Sequence, residues 1–579
     1  MASEHLSEQP QAWTTWALVG SVAAVAVLFA LSFGAHGYAP TDQGFVLGQS
    51  WRIQGGQVPY RDFFYIRTPG SLYLHTVWFA LPDAWVFRAG RFAYYAQLAV
   101  AALLPALFAL RAGWVTSPPR LILLCVAFYV AGIHNFPPMP WYTVDGIFFA
   151  TLALVAVLAS RTSTTLVRRL VWLSLASLLL GLAGLVKQNY GGLVALLVVS
   201  EGVFLVRALR RGHEGAREEW LRVLAAGLPA VVACGFFALW LWSVDAWVPF
   251  IQQVTGGSSP GDLWKAGVVV WLQWPIAAAL IVGGVLGRLG REARWGWLCS
   301  LCVAMWLGWI AWDLPAWLAW GADVAAGQLL FAGLLGALLS RAWQFLRAGS
   351  RGGGAALSTL SLGTLAIAWS ASLSFGVNSP LLGLVSAGAM VEIFLARSTR
   401  FVPVQLAGFF LVAAALTFQV WQLNAQHPYL TVPREQQTRA YHEIFPRFGK
   451  LYGGEELGDR FQELRRVVEQ HAPEPDRDFT VIPSFPLVHF LLDRQTRAPM
   501  DWYVLFDLMG GLQGPVVARL RDFDGVAFLE RNPSDEPCSP AEFANAYRGV
   551  SLQVLRHGRL LESTRRFCVV DTTPSSPPR

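Results

Sequence analysis

The chain has 579 residues, of which 54% are hydrophobic and only 14% charged, and its 44 Lys and Arg against 37 Asp and Glu leave a net charge of +7. That is too apolar for an ordinary soluble enzyme. The first 421 residues hold 25 basic and 16 acidic side chains and the last 158 hold 19 and 21, so a hydrophobic part and a near-neutral polar tail share one polypeptide, and the tail argues against nucleic acid as a partner.

Thirteen apolar runs lie near residues 13–33, 92–110, 121–133, 141–159, 170–185, 192–206, 223–242, 267–286, 295–312, 324–339, 355–373, 381–395 and 402–421. They predict an α-helical polytopic membrane part over residues 1–421 and a small α/β domain over residues 422–579. Glu4 and Glu8 precede the first run, no basic flank does, and the run is too long for a signal peptide, so it is expected to stay as a helix. With the N-terminus in the cytoplasm, 18 basic loop residues fall inside. Seven fall outside, namely Arg52, Arg61, Arg67, Arg88, Arg91, Lys187 and Lys265. Positive charge favours the cytoplasmic face. An odd number of spans then puts the tail on the exported side, and the short loops and Ala/Arg/Trp-rich composition are in the style of a bacterial inner-membrane protein.

Five of the seven outside charges lie between the first two runs, four of them in the loop of residues 36–90 and the fifth, Arg91, just after it. The loop carries Asp42-Gln43-Gly44, Tyr60-Arg61-Asp62-Phe63-Phe64 and Ile66-Arg67-Thr68-Pro69-Gly70. Its mixture of aromatic and charged residues reads as short amphipathic helices in the membrane interface, with Phe45, Trp51 and Ile53 toward lipid. Asp42 follows a span closely enough to face a cavity at the membrane surface, where a carboxylate can act as a general base. Thr41-Asp42 ahead of Phe45 also reads as a helix start, and the two roles are compatible. Tyr60, Arg61, Asp62 and His75 are lower-ranked substrate-binding candidates, and the bland reading of His75 is an interfacial histidine.

Two further segments stand out. Trp141-Tyr142-Thr143-Val144-Asp145-Gly146 opens the fourth span with a carboxylate, either a helix cap or a second acid. Gly184-Leu185-Val186-Lys187-Gln188-Asn189-Tyr190-Gly191-Gly192 places a lysine between two spans, in a chain with three Lys and 41 Arg. Lys187 reads as a snorkelling span-end residue or as a phosphate ligand.

Taken together, these segments resemble the first external loop and neighbouring turns of the GT-C membrane glycosyltransferases. Within that group the chain is most similar to bacterial relatives of dolichyl-phosphate-mannose protein mannosyltransferase and lipid A aminoarabinose transferase. The family commonly has Asp-Glu at the start of the loop and Lys-Pro-Pro later in it. Asp42-Gln43 and Arg67-Thr68-Pro69 stand here instead, which removes a second acid and leaves Asp42. The resemblance implies transfer of a sugar from a polyprenyl-phosphate carrier to a hydroxyl on a lipid, glycan or protein. Arg67 and Lys187 would hold the phosphate, Asp42 would be the base, and Asp145 would orient sugar or acceptor. A single displacement implies inversion, since retention would need a second close carboxylate as nucleophile. No His-Glu-x-x-His occurs, and the loop has no Asp-x-Asp, so no metal or other cofactor is expected.

In the tail, residues 461–470 read as a helix and residues 479–483, 525–529 and 566–570 as strands. Asp522-Phe523-Asp524 reads as a turn, residues 483–494 as a strand–loop–helix connection, and residues 572–579 as disordered. Cys125, Cys234, Cys299 and Cys302 fall within apolar runs. Cys538 and Cys568 are the pair available for a disulfide in an exported tail, a pairing the sequence leaves open. A transporter of lipid-linked sugars, with ionisable residues at span centres and two similar halves, and a non-catalytic membrane scaffold are the competing readings.

Overall fold

A computed structural model describes residues 8–40, 42–133, 138–210, 215–256, 274–289, 299–305, 307–309, 312, 331–337, 353–372, 383–395, 402–428, 431–503, 508, 511–544 and 549–573. The first half of the chain forms α1 (Glu8–Phe33), α2 (Phe45–Gln54), α3 (Gly70–His75), α4 (Asp83–Arg111), α5 (Pro118–Ile133), α6 (Tyr142–Thr162), α7 (Leu166–Val186), α8 (Gly191–Arg210), α9 (Ala216–Ser243) and α10 (Trp247–Gly256). Long runs without charge can cross a bilayer only with every backbone group bonded internally, which a helix achieves. Among the described residues seven helices are long and apolar enough to do so: Ala12–Phe33 within α1, α4, α6, α7, Gln188–Arg210 around α8, α9, and Val402–Gln426. Shorter apolar helices include α5, Ala356–Ser372 and Leu384–Leu395. The expected spans at 267–286, 295–312 and 324–339 run into residues outside the described set, as do residues 574–579 of the expected disordered end. Arginines close the last turns of α4, α6 and α8, every second helix of this series, as the charge asymmetry of the sequence requires.

The chain beyond Val402–Gln426 folds into a small α/β unit. It opens with an antiparallel pair, β1 (Arg439–Ala440) and β2 (Tyr452–Gly453), and its main sheet sets β3 (Asp478–Ile482) parallel to β4 (Gly525–Glu530), with β6 (Phe567–Asp571) antiparallel to both β4 and β5 (Arg559–Ser563), in the order β3-β4-β6-β5. The three expected strands are β3, β4 and β6, and the expected helix is part of Glu455–His471. β5 was not expected: Arg559-Leu560-Leu561-Glu562-Ser563 forms the sheet's edge and is largely exposed, so it lacks the buried apolar run that marks the others. Asp522-Phe523-Asp524 connects a helix, Gln513–Arg521, to β4, as a turn should. Cys538 and Cys568 form a disulfide, with Cα atoms 5.9 Å apart, tying the loop before residue 540 to β6.

The external loop departs from its expected interfacial position. α2 lies between the bundle and the tail. Phe45 is 3% exposed, with its ring 4.4 Å from that of Trp502. Trp51 packs edge-on against Phe79 and Phe490, and its indole N–H donates to Arg494 O at 2.8 Å. Ile53 is half-buried in the same apolar cluster as Phe45. The reason is that the tail supplies a second apolar surface that α2 can bury against in place of lipid. Gly44 and Gly48, one turn apart, permit the approach. A Cβ on Gly44 would stand 2.7 Å from Leu487 Cβ, and one on Gly48 would stand 2.0 Å from Pro486 O.

One ion pair locks this contact. Arg52, 1% exposed, donates to Asp501 Oδ2 at 2.9 Å and to Ala498 O at 2.7 Å, and its guanidinium lies 4.4 Å from the centre of the Phe63 ring. Burial pushes the Asp501 carboxyl above the usual carboxylate range, with the Arg52 charge pulling against it. Removing one partner of such a pair leaves the other charged and dry. Asp501→Ala is therefore expected to destabilise the docked tail by about 3–5 kcal/mol, read as a lower melting temperature of the purified full chain. The double variant Arg52→Met/Asp501→Leu should recover most of that loss.

Candidate functional site

The three segments that stood apart in the sequence meet at one end of the bundle. Thr68 Oγ1 donates to Gly184 O at 3.0 Å. Gly70 lies so close to the end of α7 that an added Cβ would stand 2.6 Å from Leu185 O, so no larger residue fits without displacing the loop. Tyr190 covers Gly146, where a Cβ would be 2.2 Å from its ring, and its hydroxyl donates to Thr143 O at 3.0 Å. The glycines and the small hydroxyl therefore serve close docking of residues 67–70, 143–146 and 184–191.

Two cations share this junction. The Arg67 guanidinium lies over the rings of Phe45 at 5.0 Å, Tyr142 at 5.1 Å and Trp502 at 5.4 Å. Lys187 Nζ lies 5.5 Å from the same Tyr142 ring. Lys187 is 6% exposed and leaves α7 in an extended conformation, so it is packed inward and does not snorkel. Its ammonium donates to Thr143 Oγ1 at 3.1 Å and Ala371 O at 3.3 Å. Both partners are neutral, and Arg67 repels it. Among the described residues this buried charge is answered by neutral oxygens and a second cation, an arrangement whose chemistry suits an anion.

Asp145 is neither a cap nor open to solvent. The N-cap of α6 is Trp141, without a side-chain bond, and Asp145 is fully buried in the first turn. It accepts from Ser71 Oγ, from Gln97 Nε2 at 2.8 Å, and from His75 Nε2 at 3.0 Å. The Trp78 indole N–H donates to His75 Nδ1 at 2.7 Å, which leaves the imidazole proton on Nε2, facing the carboxylate. His75 is 1% exposed, which corrects its bland interfacial reading. Three donors from α3 and α4 thus converge on one carboxylate of α6 and pin α3, the helix that Arg67-Thr68-Pro69 leads into.

Asp42 lies half-buried in the turn before α2, three residues ahead of Phe45. It is not the cap of α2, because Gly44 occupies that position with no side-chain bond. Asp42 contributes its backbone O to Phe45 N at 3.3 Å. Gln43 is buried, with Oε1 accepting from Ala39 N and Nε2 donating to Pro138 O, so the amide fits a position where a charged Glu would lose a donor. Tyr60 is buried, and its hydroxyl donates to Arg67 O at 2.6 Å. Arg61 is exposed and pairs with Asp62 at 2.8 Å. Burial pushes the Asp62 carboxyl up, but hydrogen bonds from Arg61 and the Val58 N–H, with the nearby Arg charges, hold it below the usual range. Tyr60 braces the backbone of Arg67, while Arg61 and Asp62 pair with each other. Phe45 and Trp502 are among the side chains at this site that the sequence did not assign. Phe45 carried only a lipid-facing reading, and nothing local links Trp502 to a loop over 400 residues earlier.

An apolar groove of about 640 Å³ opens beside the cations. It begins at Pro69 and Gly70, two and three residues beyond Arg67, and at Val186, next to Lys187, and runs along Leu182, Phe236 and Trp240 of α7 and α9. Phe236 is exposed where the groove faces out from the bundle.

The solved structure of ArnT from Cupriavidus metallidurans bound to undecaprenyl phosphate superposes on this chain with a TM-score of 0.51 and 14% sequence identity, covering 97% of this chain and 99% of that one. The archaeal oligosaccharyltransferase AglB from Archaeoglobus fulgidus, in complex with an inhibitory peptide and a dolichol-phosphate, gives a TM-score of 0.46 and 12% identity over 90% of this chain and 70% of that one. The chain therefore has the GT-C fold that its loop segments resemble. No protein-family model matches the chain. No curated protein matches it by sequence.

Lys187→Met tests the anion site. Losing one charge-assisted contact should weaken binding of a phosphate-bearing lipid, used as the probe, roughly 10- to 100-fold. Thermal stability should hold or rise, because the variant removes a buried ammonium with neutral partners. Titration of lipid into the detergent-solubilised protein, alongside its melting temperature, checks both.

Proposed function

We propose that this protein transfers a sugar from a polyprenyl-phosphate carrier to an acceptor hydroxyl on the exported face of the bacterial inner membrane. The observation that carries this reading is Lys187, a buried ammonium with neutral partners, set with Arg67 around Tyr142 at the mouth of an apolar groove. The groove takes the polyprenyl chain, and the two cations take the phosphate. That ArnT has been solved with undecaprenyl phosphate bound, on the same fold, supports the ligand class. The disulfide supports an exported tail, since such bonds persist in oxidising compartments. The buried pair Arg120–Glu392 joins helix ends, and Glu201, midway along α8, is held by Arg161 from the last turn of α6 and by Arg222.

In the proposed reaction the acceptor oxygen attacks the anomeric carbon on the face opposite the phosphate. The carbon–oxygen bond to phosphate breaks with its electron pair going to the leaving group, and Asp42 takes the acceptor proton. The configuration inverts. Charge builds on the departing phosphate monoester, and cations already fixed beside it stabilise that charge without having to reorganise. Arg67, flanked by three rings and braced by Tyr60, meets that requirement, and its planar guanidinium suits a phosphate. Asp145, with its donors already in place, orients the loop that carries Arg67.

Asp42→Asn separates this role from a structural one. In liposomes supplied with labelled polyprenyl-phosphate sugars and native membrane extract, kcat should fall about 10²–10⁴-fold, the range for loss of a general base. Binding of undecaprenyl phosphate should not change. Full turnover by Asp42→Asn would remove Asp42 from the chemistry.

A further inference from the structure

α2 presents Phe45, Gln49 and Arg52 on one face, at helical spacings of four and three. Both ends of that face touch the tail: Phe45 packs on Trp502 at 4.4 Å, and Arg52 bonds to Asp501 at 2.9 Å. Gln49, between them, is 0% exposed, yet neither its amide oxygen nor its amide nitrogen has a hydrogen-bond partner among the described residues. The buried Nε1–H of Trp502 likewise has no acceptor, and nor has the buried hydroxyl of Ser484, whose backbone forms a β-bridge with Trp502. Buried polar groups are otherwise almost always satisfied, and each one left unmet costs about 1–3 kcal/mol. These groups, two donors and two acceptors or hydroxyl, belong to α2 and to the tail segments packed on it, and their chemistry matches a ligand rich in hydroxyls.

We infer that Gln49 and Trp502 form a subsite for the sugar of the lipid-linked donor, with the tail supplying one wall. This rests on the donor class proposed above and adds where its sugar sits. Arg67 lies over the Tyr142 ring, which it shares with Lys187, and over the Trp502 ring. A phosphate held between Lys187 and Arg67 therefore directs its non-lipid substituent toward Trp502. There the indole N–H donates to a ring hydroxyl, and the Gln49 amide both donates to and accepts from the sugar. The Arg52–Asp501 pair positions Trp502 without touching the ligand.

The test compares undecaprenyl phosphate with undecaprenyl-phosphate-linked glucose and aminoarabinose on the full-length protein, as wild type, Gln49→Met, Trp502→Phe and Lys187→Met. Each of the first two variants keeps the shape and removes the hydrogen-bonding group. The expected result is tighter binding of a sugar-bearing lipid than of the bare lipid by wild type. That advantage should shrink roughly 5- to 10-fold in Gln49→Met and Trp502→Phe, the worth of about one hydrogen bond. Their affinity for the bare lipid should be unchanged, and the melting temperature of Gln49→Met unchanged or raised. The proposal is overturned if wild type gains nothing from either sugar, if both variants bind sugar-bearing lipid as wild type does, or if they lose bare and sugar-bearing lipid equally. If Lys187→Met binds the bare lipid as wild type does, the donor class itself fails, a separate result.

Discussion

Arg52 is a guanidinium taken almost wholly out of water, and a charge so placed must find a fixed answer. Asp501, Ala498 O and the face of Phe63 supply it. Meeting that requirement clamps α2 between bundle and tail, and several other features follow. Glycines at 44 and 48 let the clamp close, Trp51 reaches Arg494 O, and Trp502, next to Asp501, comes to rest against Phe45 and Arg67. What reads as a membrane-surface loop becomes the middle layer of a sandwich between helices and sheet.

The remaining precision comes from backbone approach. Gly70 against Leu185 O and Gly146 under Tyr190 are positions where a methyl group would force the chains apart. These contacts bring residues 67, 142 and 187 around a single ring, although they belong to three separate segments. The carboxylate of Asp145 reinforces the same junction from below, by gathering donors from α3 and α4. Like charges repel, and this packing holds Arg67 and Lys187 beside one ring in spite of that.

Much of this was legible in the sequence wherever the relevant physics is local. Apolar length marked the helices, positive charge marked alternate helix ends, and buried apolar runs marked β3, β4 and β6. The concentration of charge in the first external loop pointed to Arg67, and the rarity of lysine pointed to Lys187. What failed locally depends on distant partners. α2 looks amphipathic and lipid-facing because nothing in residues 45–54 reveals that the tail will cover it. His75 looks interfacial until Asp145 and Trp78 are seen to hold both ring nitrogens. Trp502 carries no local mark, and β5 lacks one because an edge strand need not be apolar.

The separation of 449 residues between Arg52 and Asp501 has a consequence for biosynthesis. During translation α2 emerges early, with its arginine and the amide of Gln49 facing a surface that does not yet exist. The bundle can assemble around α1 and α4 to α9 while this layer stays open and hydrated. Only after residue 501 has been made can the guanidinium shed water, and Trp502 arrives in the same step. The polypeptide thus carries its own completion check: a chain cut short before the tail would retain Arg67 and Lys187 but lack the wall that closes over them.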